Sequence, residues 1–242
     1  MKKFIKLLCL GLALVFISGC ESKDSMEDIT IYTSIYPIEY ITKALYGEHA
    51  NIVSFYPNDV NPYEYKLTAK QIKDYSSSDL IIYNGLDTEK DYIAGMLNKN
   101  KKLKIIDVSM GMTYDNDVAE LWLNPYNYLM MAQNTKNGLL EYISNPYLIT
   151  NDEGTGVEDK YEALKYDLSR LDADIKETIS LSSYDTIVVD NDVFNFLSKY
   201  NLNVISLEED DKLTDIKINE VKKDIAKINT VLTERKIAEA KA

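Results

Sequence analysis

Cysteine and histidine are nearly missing from this chain of 242 residues, which has two Cys and one His. Both cysteines, Cys9 and Cys20, lie within the first twenty positions. With one imidazole and no other thiol, the chain cannot assemble a triad, a histidine-based metallohydrolase or a cysteine nucleophile. It is therefore expected not to be an enzyme. Nine Gly and five Pro are too few for a collagen-like or linker-rich polymer, and no short-period repeat is visible. Nor is there a glycine-rich loop to cradle phosphate, since Asn84-Gly85 reads only as a turn after a strand. Positive charge is also in deficit, with 27 basic against 39 acidic residues and a net charge of −12. Lys2, Lys3 and Lys6 are three of those 27, so the rest of the chain is more acidic still. Such a surface repels nucleic acid and anionic membrane and attracts cations.

What is present begins with an address. Lys2, Lys3 and Lys6 precede an apolar run over residues 7–17, which is long enough for a secretory core and short for a bilayer span. The run meets Ile17-Ser18-Gly19-Cys20, and charged Glu21, Lys23 and Asp24 follow at once. Small residues just before a Cys resemble the bacterial lipobox, in which the Cys is acylated after cleavage. This implies a signal peptide at 1–19, lipid on Cys20, a polar tether over 20–28 and attachment to the extracytoplasmic face of the cell membrane. The alternative is an uncleaved anchor helix with an incidental thiol.

From Ile29 the chain alternates short β-branched or aromatic runs with amphipathic stretches, the pattern of stacked β-α units. Strands are expected at 29–34, 51–56, 79–83 and 103–108, each apolar on both faces as in a central parallel strand. Helices are expected at 37–46, 87–97 and 125–142, which places one lobe at 29–150. A long helix over 156–182 carries an apolar stripe of Val157, Tyr161, Leu164, Leu168, Leu171 and Ile175. A coiled coil would also show one stripe, but amid β-α units the reading is a helix linking two lobes. Beyond it, strands at 185–189, 203–207 and 230–232 and helices at 193–200 and 215–228 make a second, incomplete lobe over 183–242. The fold class is α/β, two lobes of parallel β-α units. Ligands bind such sheets beyond the carboxyl ends of the strands, which selects the loops at 57–65, 109–124 and 190–192.

Four segments in these regions resemble the metal-binding, substrate-binding lipoproteins of bacterial zinc and manganese ABC importers, the group that includes streptococcal adhesion lipoproteins. They are Pro57-Asn58-Asp59-Val60-Asn61-Pro62-Tyr63-Glu64-Tyr65, Ser78-Asp79-Leu80-Ile81-Ile82-Tyr83-Asn84-Gly85-Leu86, Val118-Ala119-Glu120-Leu121-Trp122-Leu123-Asn124-Pro125 and Val189-Asp190-Asn191-Asp192-Val193-Phe194-Asn195-Phe196. They correspond to the family's Asp-Pro-His-x-Tyr-Glu-Pro loop, its Asp-Leu-x-x-x-Asn-Gly strand, its Asp-Pro-His-x-Trp-Leu segment and its late His or Glu turn. The similarity extends over residues 29–234 in unbroken order. It implies a cleft between two lobes, a bound divalent cation (zinc or manganese), an ABC permease as partner and a monomer held to the membrane by lipid.

The departures fall on the ligands. Carried across, the family's His, His, and His or Glu positions become Tyr63, Glu120 and Asn191, and its fourth position lies past residue 242. Asp190 and Asp192, with Glu64, are near enough in sequence to act as substitutes. Oxygen donors suit Mg, Ca or Mn better than zinc, whose closed sites favour nitrogen and sulfur. Two functional readings stay open: an importer receptor with an altered oxygen site, or a degenerate relative acting as a surface binding or adhesion protein without metal transport. His49, in Gly47-Glu48-His49-Ala50, reads as a solvated turn residue away from the cleft. Tyr36, Tyr63, Tyr65, Tyr126 and Tyr128 either line a pocket for an organic ligand or edge the core with wet hydroxyls. Trp122 is expected to pack at the root of its loop, and the acidic run at 208–211 to be a solvated loop.

Overall fold

The structure is a computed structural model and describes residues 26–62, 64–85, 89–112, 120–189 and 191–206, with Lys223 and Lys227. It divides into two compact units between Arg170 and Leu171.

The first unit is built on four parallel strands, β1 (Ile29–Thr33), β2 (Ala50–Ser54), β3 (Leu80–Tyr83) and β4 (Lys104–Asp107), in the order β2-β1-β3-β4. All four residues of β3 are buried, as a strand with neighbours on both sides and helices on both faces requires. The connecting helices are α1 (Tyr36–Tyr46), α2 (Ala69–Tyr75) and α3 (Glu89–Lys99), and α4 (Pro125–Tyr142) follows β4. Pro37 sits in the first turn of α1, where its missing N–H costs nothing. One face of α1, Ile38, Ile41, Thr42, Leu45 and Tyr46, is buried against the sheet. Asn124 caps α4 by accepting a hydrogen bond from the Tyr126 amide at 3.1 Å. Helix α4 lies so close on β4 that a β-carbon at Gly138 would stand 2.7 Å from Ile106 Cγ1.

Helix α2 has no counterpart among the expected elements. It is opened by a capping box in which the Gln71 amide donates to Thr68 Oγ1 and the Thr68 amide donates to Gln71 Oε1. Residues 26–28 were expected to belong to a polar tether. Met26 is fully buried, its carbonyl accepts the Tyr46 hydroxyl at 2.6 Å, and the Asp28 amide donates to the His49 carbonyl. Residues 26–28 therefore belong to the folded body.

After the short helix α5 (Pro146–Ile149), helix α6 (Val157–Leu181) runs across the division between the units. The first four positions of its stripe, Val157, Tyr161, Leu164 and Leu168, are buried, whereas Leu171 is 47% exposed.

Within the second unit, β5 (Thr186–Val189) and β6 (Asn203–Ser206) pair in parallel. Between them lies a 3-10 helix, Asp192–Tyr200, where an α-helix was expected. A 3-10 helix rises about 2.0 Å per residue against about 1.5 Å for an α-helix, so the same residues reach further between the strand ends. Asp172 on α6 ties it down, accepting from Lys199 Nζ at 2.8 Å and from the Tyr200 hydroxyl at 2.7 Å. The expected helix at 215–228 and strand at 230–232 fall outside the described residues except for Lys223 and Lys227, both helical.

Candidate ligand site at the carboxyl edge of the parallel sheet

The chain leaves β1 in one direction to make β2 and returns on the other side to make β3. The helices after β1 and β3 thus diverge, opening a crevice beyond the carboxyl ends of these two strands. Polar groups collect there although the surroundings are apolar. Ser34, Asn84, Glu89 and Ser109 are all buried. The Ser34 amide extends the ladder to the Ile82 carbonyl at 3.1 Å, and the Asn84 amide donates to Glu89 Oε2 at 2.8 Å. Asp107 Oδ1 accepts from the Gly85 amide at 3.1 Å, the Ser109 amide at 2.9 Å and the Ser109 hydroxyl at 2.7 Å. The Asp107 carboxylate occupies the space a side chain at position 85 would need, since a β-carbon there would lie 2.0 Å from Oδ2. Glycine is required at this close approach. Asn84-Gly85 is thus part of a polar lattice that fixes the turns after β3 and β4, a role hidden in the sequence because its partners lie at 89, 107 and 109.

Two loops carrying site positions are braced from below. The loop after β2 rests on an aromatic stack, with the Phe55 and Tyr75 rings 5.4 Å apart and nearly parallel, and Tyr56 against Tyr65 edge to face. Gln71 Nε2 donates to the Tyr65 hydroxyl at 2.9 Å, and the Tyr75 hydroxyl donates to the Phe55 carbonyl. Burial raises the Tyr75 phenol above its ordinary pKa. The chain leaving β4 is held by Asn134 Nδ2, which donates to the carbonyls of Val108 and Met110.

Of the expected ligand positions, Glu120 stands at the carboxyl side of β4, half-buried, directly before a 3-10 turn at Leu121–Leu123. Trp122 beside it packs against the core. Glu64 is exposed. Tyr63 and Asp190 lie outside the described residues. Asn191 and Asp192 belong to the second unit, where Asn191 Oδ1 accepts from the Val193 amide at 3.3 Å and caps the 3-10 helix. Among the described residues no three His, Cys, Asp or Glu side chains gather as a metal cluster.

The tyrosines separate into two kinds. Tyr128 is half-buried and its hydroxyl donates to the Pro37 carbonyl at 2.7 Å, with its ionisation pushed well up by burial. Tyr65 packs under its loop, whereas Tyr36 and Tyr126 are 71% and 62% exposed. His49 lies in the turn before β2 but is half-buried rather than solvated. It packs against the Tyr46 ring at 5.4 Å, and its Nε2 lies 3.4 Å from the Thr155 carbonyl, at the amino edge of the sheet.

An open parallel sheet with a switch point and loop-borne polar groups at its carboxyl edge is a doubly wound α/β arrangement, the class in which ligands bind at that edge. The sequence profile of the ZnuA family, described as zinc-uptake complex component A, periplasmic, matches residues 31–242, and the chain belongs to this family. It is 28% identical over 214 residues to a metal ABC transporter substrate-binding lipoprotein of Lactococcus lactis, covering 78% of this chain and 66% of that protein. To the manganese ABC transporter substrate-binding lipoprotein PsaA of Streptococcus pneumoniae it is 27% identical over 217 residues, covering 82% and 69%. The fold is shared with Zn(II)-bound AdcA of Streptococcus pneumoniae, with a TM-score of 0.62 and 22% identity over 74% of this chain and 39% of AdcA. The chain thus spans about two thirds of the transporter relatives and well under half of AdcA.

Proposed function

We propose that this protein is the extracytoplasmic receptor of a metal ABC importer, held to the membrane through lipid on Cys20, which captures a divalent cation and passes it to a permease. The observation that carries this reading is the family match over residues 31–242. The names of the relatives point the same way, to metal transport and zinc binding rather than adhesion. Binding, not catalysis, is the activity.

Glu120 is the principal ligand of this reading, since it is a carboxylate on the loop that leaves the carboxyl edge of the first sheet. Tyr63 and Asn191 hold the other family positions. A neutral phenol with a pKa of about 10 binds metal poorly near neutral pH, and a carboxamide brings no charge to offset dehydration of the ion. Asn191 has in addition committed its oxygen to capping. Asp190 and Asp192 are the carboxylates next to Asn191 in sequence. Oxygen donors of this kind hold a divalent cation weakly when few in number and do not favour zinc. Calorimetric titration of the protein with zinc, manganese and calcium, repeated on Glu120→Ala, tests this. Weak manganese or calcium binding that disappears in the variant is expected. Tight zinc binding, or manganese binding untouched by the substitution, overturns the assignment.

A further inference from the structure

Glu120 stands at the head of a turn that is held from several sides. It occupies the N-cap position of the 3-10 turn Leu121–Leu123, and its side chain makes no capping hydrogen bond to that turn. The carboxylate is therefore not used for local structure, in contrast to Asn191, whose oxygen caps the 3-10 helix of the second unit. Leu121 is 5% exposed, and Trp122 packs against the core. The Leu123 amide donates to the Glu120 carbonyl at 3.1 Å and closes the turn behind it.

One residue joins this turn to the helix that follows. The Asn124 amide donates to the Leu121 carbonyl at 3.2 Å, its Oδ1 accepts from the Tyr126 amide at 3.1 Å, and its carbonyl accepts from the Tyr128 amide at 2.9 Å. Its backbone is extended, with φ −84° and ψ 116°, as an N-cap requires. Pro125 is buried in the first turn of α4, where it has no amide to satisfy. Helix α4 is itself held on the sheet. The Tyr128 hydroxyl ties it to the Pro37 carbonyl, Asn134 ties it to the carbonyls of Val108 and Met110, and Gly138 lets it press on Ile106 of β4. The place of Glu120 relative to the sheet is thus passed from α4 through Asn124.

We propose that Asn124 is a positioning residue for cation capture, which holds the Glu120 carboxylate ready at the carboxyl edge by capping α4 and closing the turn before it. The inference rests on the reading of Glu120 as a cation ligand. A carboxylate carried on a preset backbone loses little freedom on binding, and this matters most where few donors share the ion. Without Asn124 Oδ1 the Tyr126 amide loses its partner, the start of α4 frays and the turn ahead of it is released.

Manganese alone is the probe, with free ion counted by electron paramagnetic resonance, which suits weak binding. Trp122 is the only tryptophan in the chain and lies between Glu120 and Asn124, so its emission reports on the turn. Paramagnetic manganese held at Glu120 should quench it. Asn124→Ala is expected to weaken manganese binding several-fold and to shift the Trp122 emission to the red, while Asn124→Ser, which keeps a capping oxygen, restores both. Glycine is well tolerated at N-caps, so Asn124→Gly removes the same oxygen with less harm to folding and should weaken binding as much as Asn124→Ala. In a Glu120→Ala background, Asn124→Ala should make no further difference, since it acts only through that carboxylate. A lost cap that left the turn in place would lower the urea midpoint without changing affinity, because nearly every molecule stays folded. Full binding by Asn124→Gly, a weakening that persists in the Glu120→Ala background, or an Asn124→Ser variant that binds no better than Asn124→Ala overturns the inference alone. Undiminished binding by Glu120→Ala, or no binding by the unsubstituted protein, overturns the ligand assignment and the inference with it.

Discussion

Strands β3 and β5 are written in the same vocabulary, Leu-Ile-Ile-Tyr and Thr-Ile-Val-Val, yet the first is buried at every residue and the second at none. β3 has hydrogen-bonded neighbours on both sides and belongs to a sheet with a large shared core, whereas β5 pairs only with β6 among the described residues. Apolarity on both faces thus marks a strand made to be covered, and the number of neighbours decides whether it is. A two-stranded sheet is marginal alone, so the described part of the second unit is expected to be the less stable of the two.

The largest effect that can break this comparison comes from paired truncations. Ile81→Ala, at a fully buried position of β3, is expected to cost ~2–5 kcal/mol by transfer and cavity. Val188→Ala, 40% exposed on β5, is expected to cost less than ~1 kcal/mol. Urea unfolding of both variants measures the difference, and equal losses would show that β5 is as well packed as β3.

A smaller effect sharpens the account of the first unit. Tyr128→Phe removes the hydroxyl that ties α4 to the Pro37 carbonyl, at an expected cost of ~1 kcal/mol. Burial raises this phenol's pKa, so the folded state favours the neutral ring. Its contribution is complete below the unfolded value of about 10 and declines as pH rises above it. Alkaline unfolding followed by tyrosinate absorbance should show the variant losing part of that pH dependence.

The smallest belongs to the second unit. Hydrogen bonding from Lys199 holds the Asp172 carboxyl below its usual pKa, opposed by partial burial and aided by Tyr200. A depressed carboxylate contributes stability above its unfolded value of about 3.9, and that contribution is lost as pH falls through the folded value. Because the pair is partly exposed, Asp172→Asn should cost no more than ~1 kcal/mol near neutral pH and nothing in strong acid. Thermal melts at the two pH values check both halves.

The sheet was legible because period and composition agree at β1, β3 and β4, and Pro37 and Gly47 bracket α1 closely. Helix α2 escaped since it is short and buries no residue entirely, although Thr68 and Gln71 spell a capping box. Asn191 illustrates the opposite error of emphasis. Alignment with a ligand position drew attention to its amide, while an Asn directly before a helical turn is also an ordinary N-cap, and the structure uses it so. The lattice of Asn84, Glu89, Asp107 and Ser109 was illegible for a simpler reason. Its members look like routine turn and surface residues until the parallel register aligns the ends of β3 and β4.

That register also ties positions 85 and 107 into one unit of inheritance. The carboxylate of Asp107 fills the volume that a side chain at 85 would take, so neither residue can change size without regard to the other. Alanine at 85 becomes admissible only beside a shorter residue at 107, such as serine, which would surrender an acceptor for the Gly85 and Ser109 amides. Descent through either single change passes through a crowded or a hollow intermediate, so the pair should be replaced together or kept together.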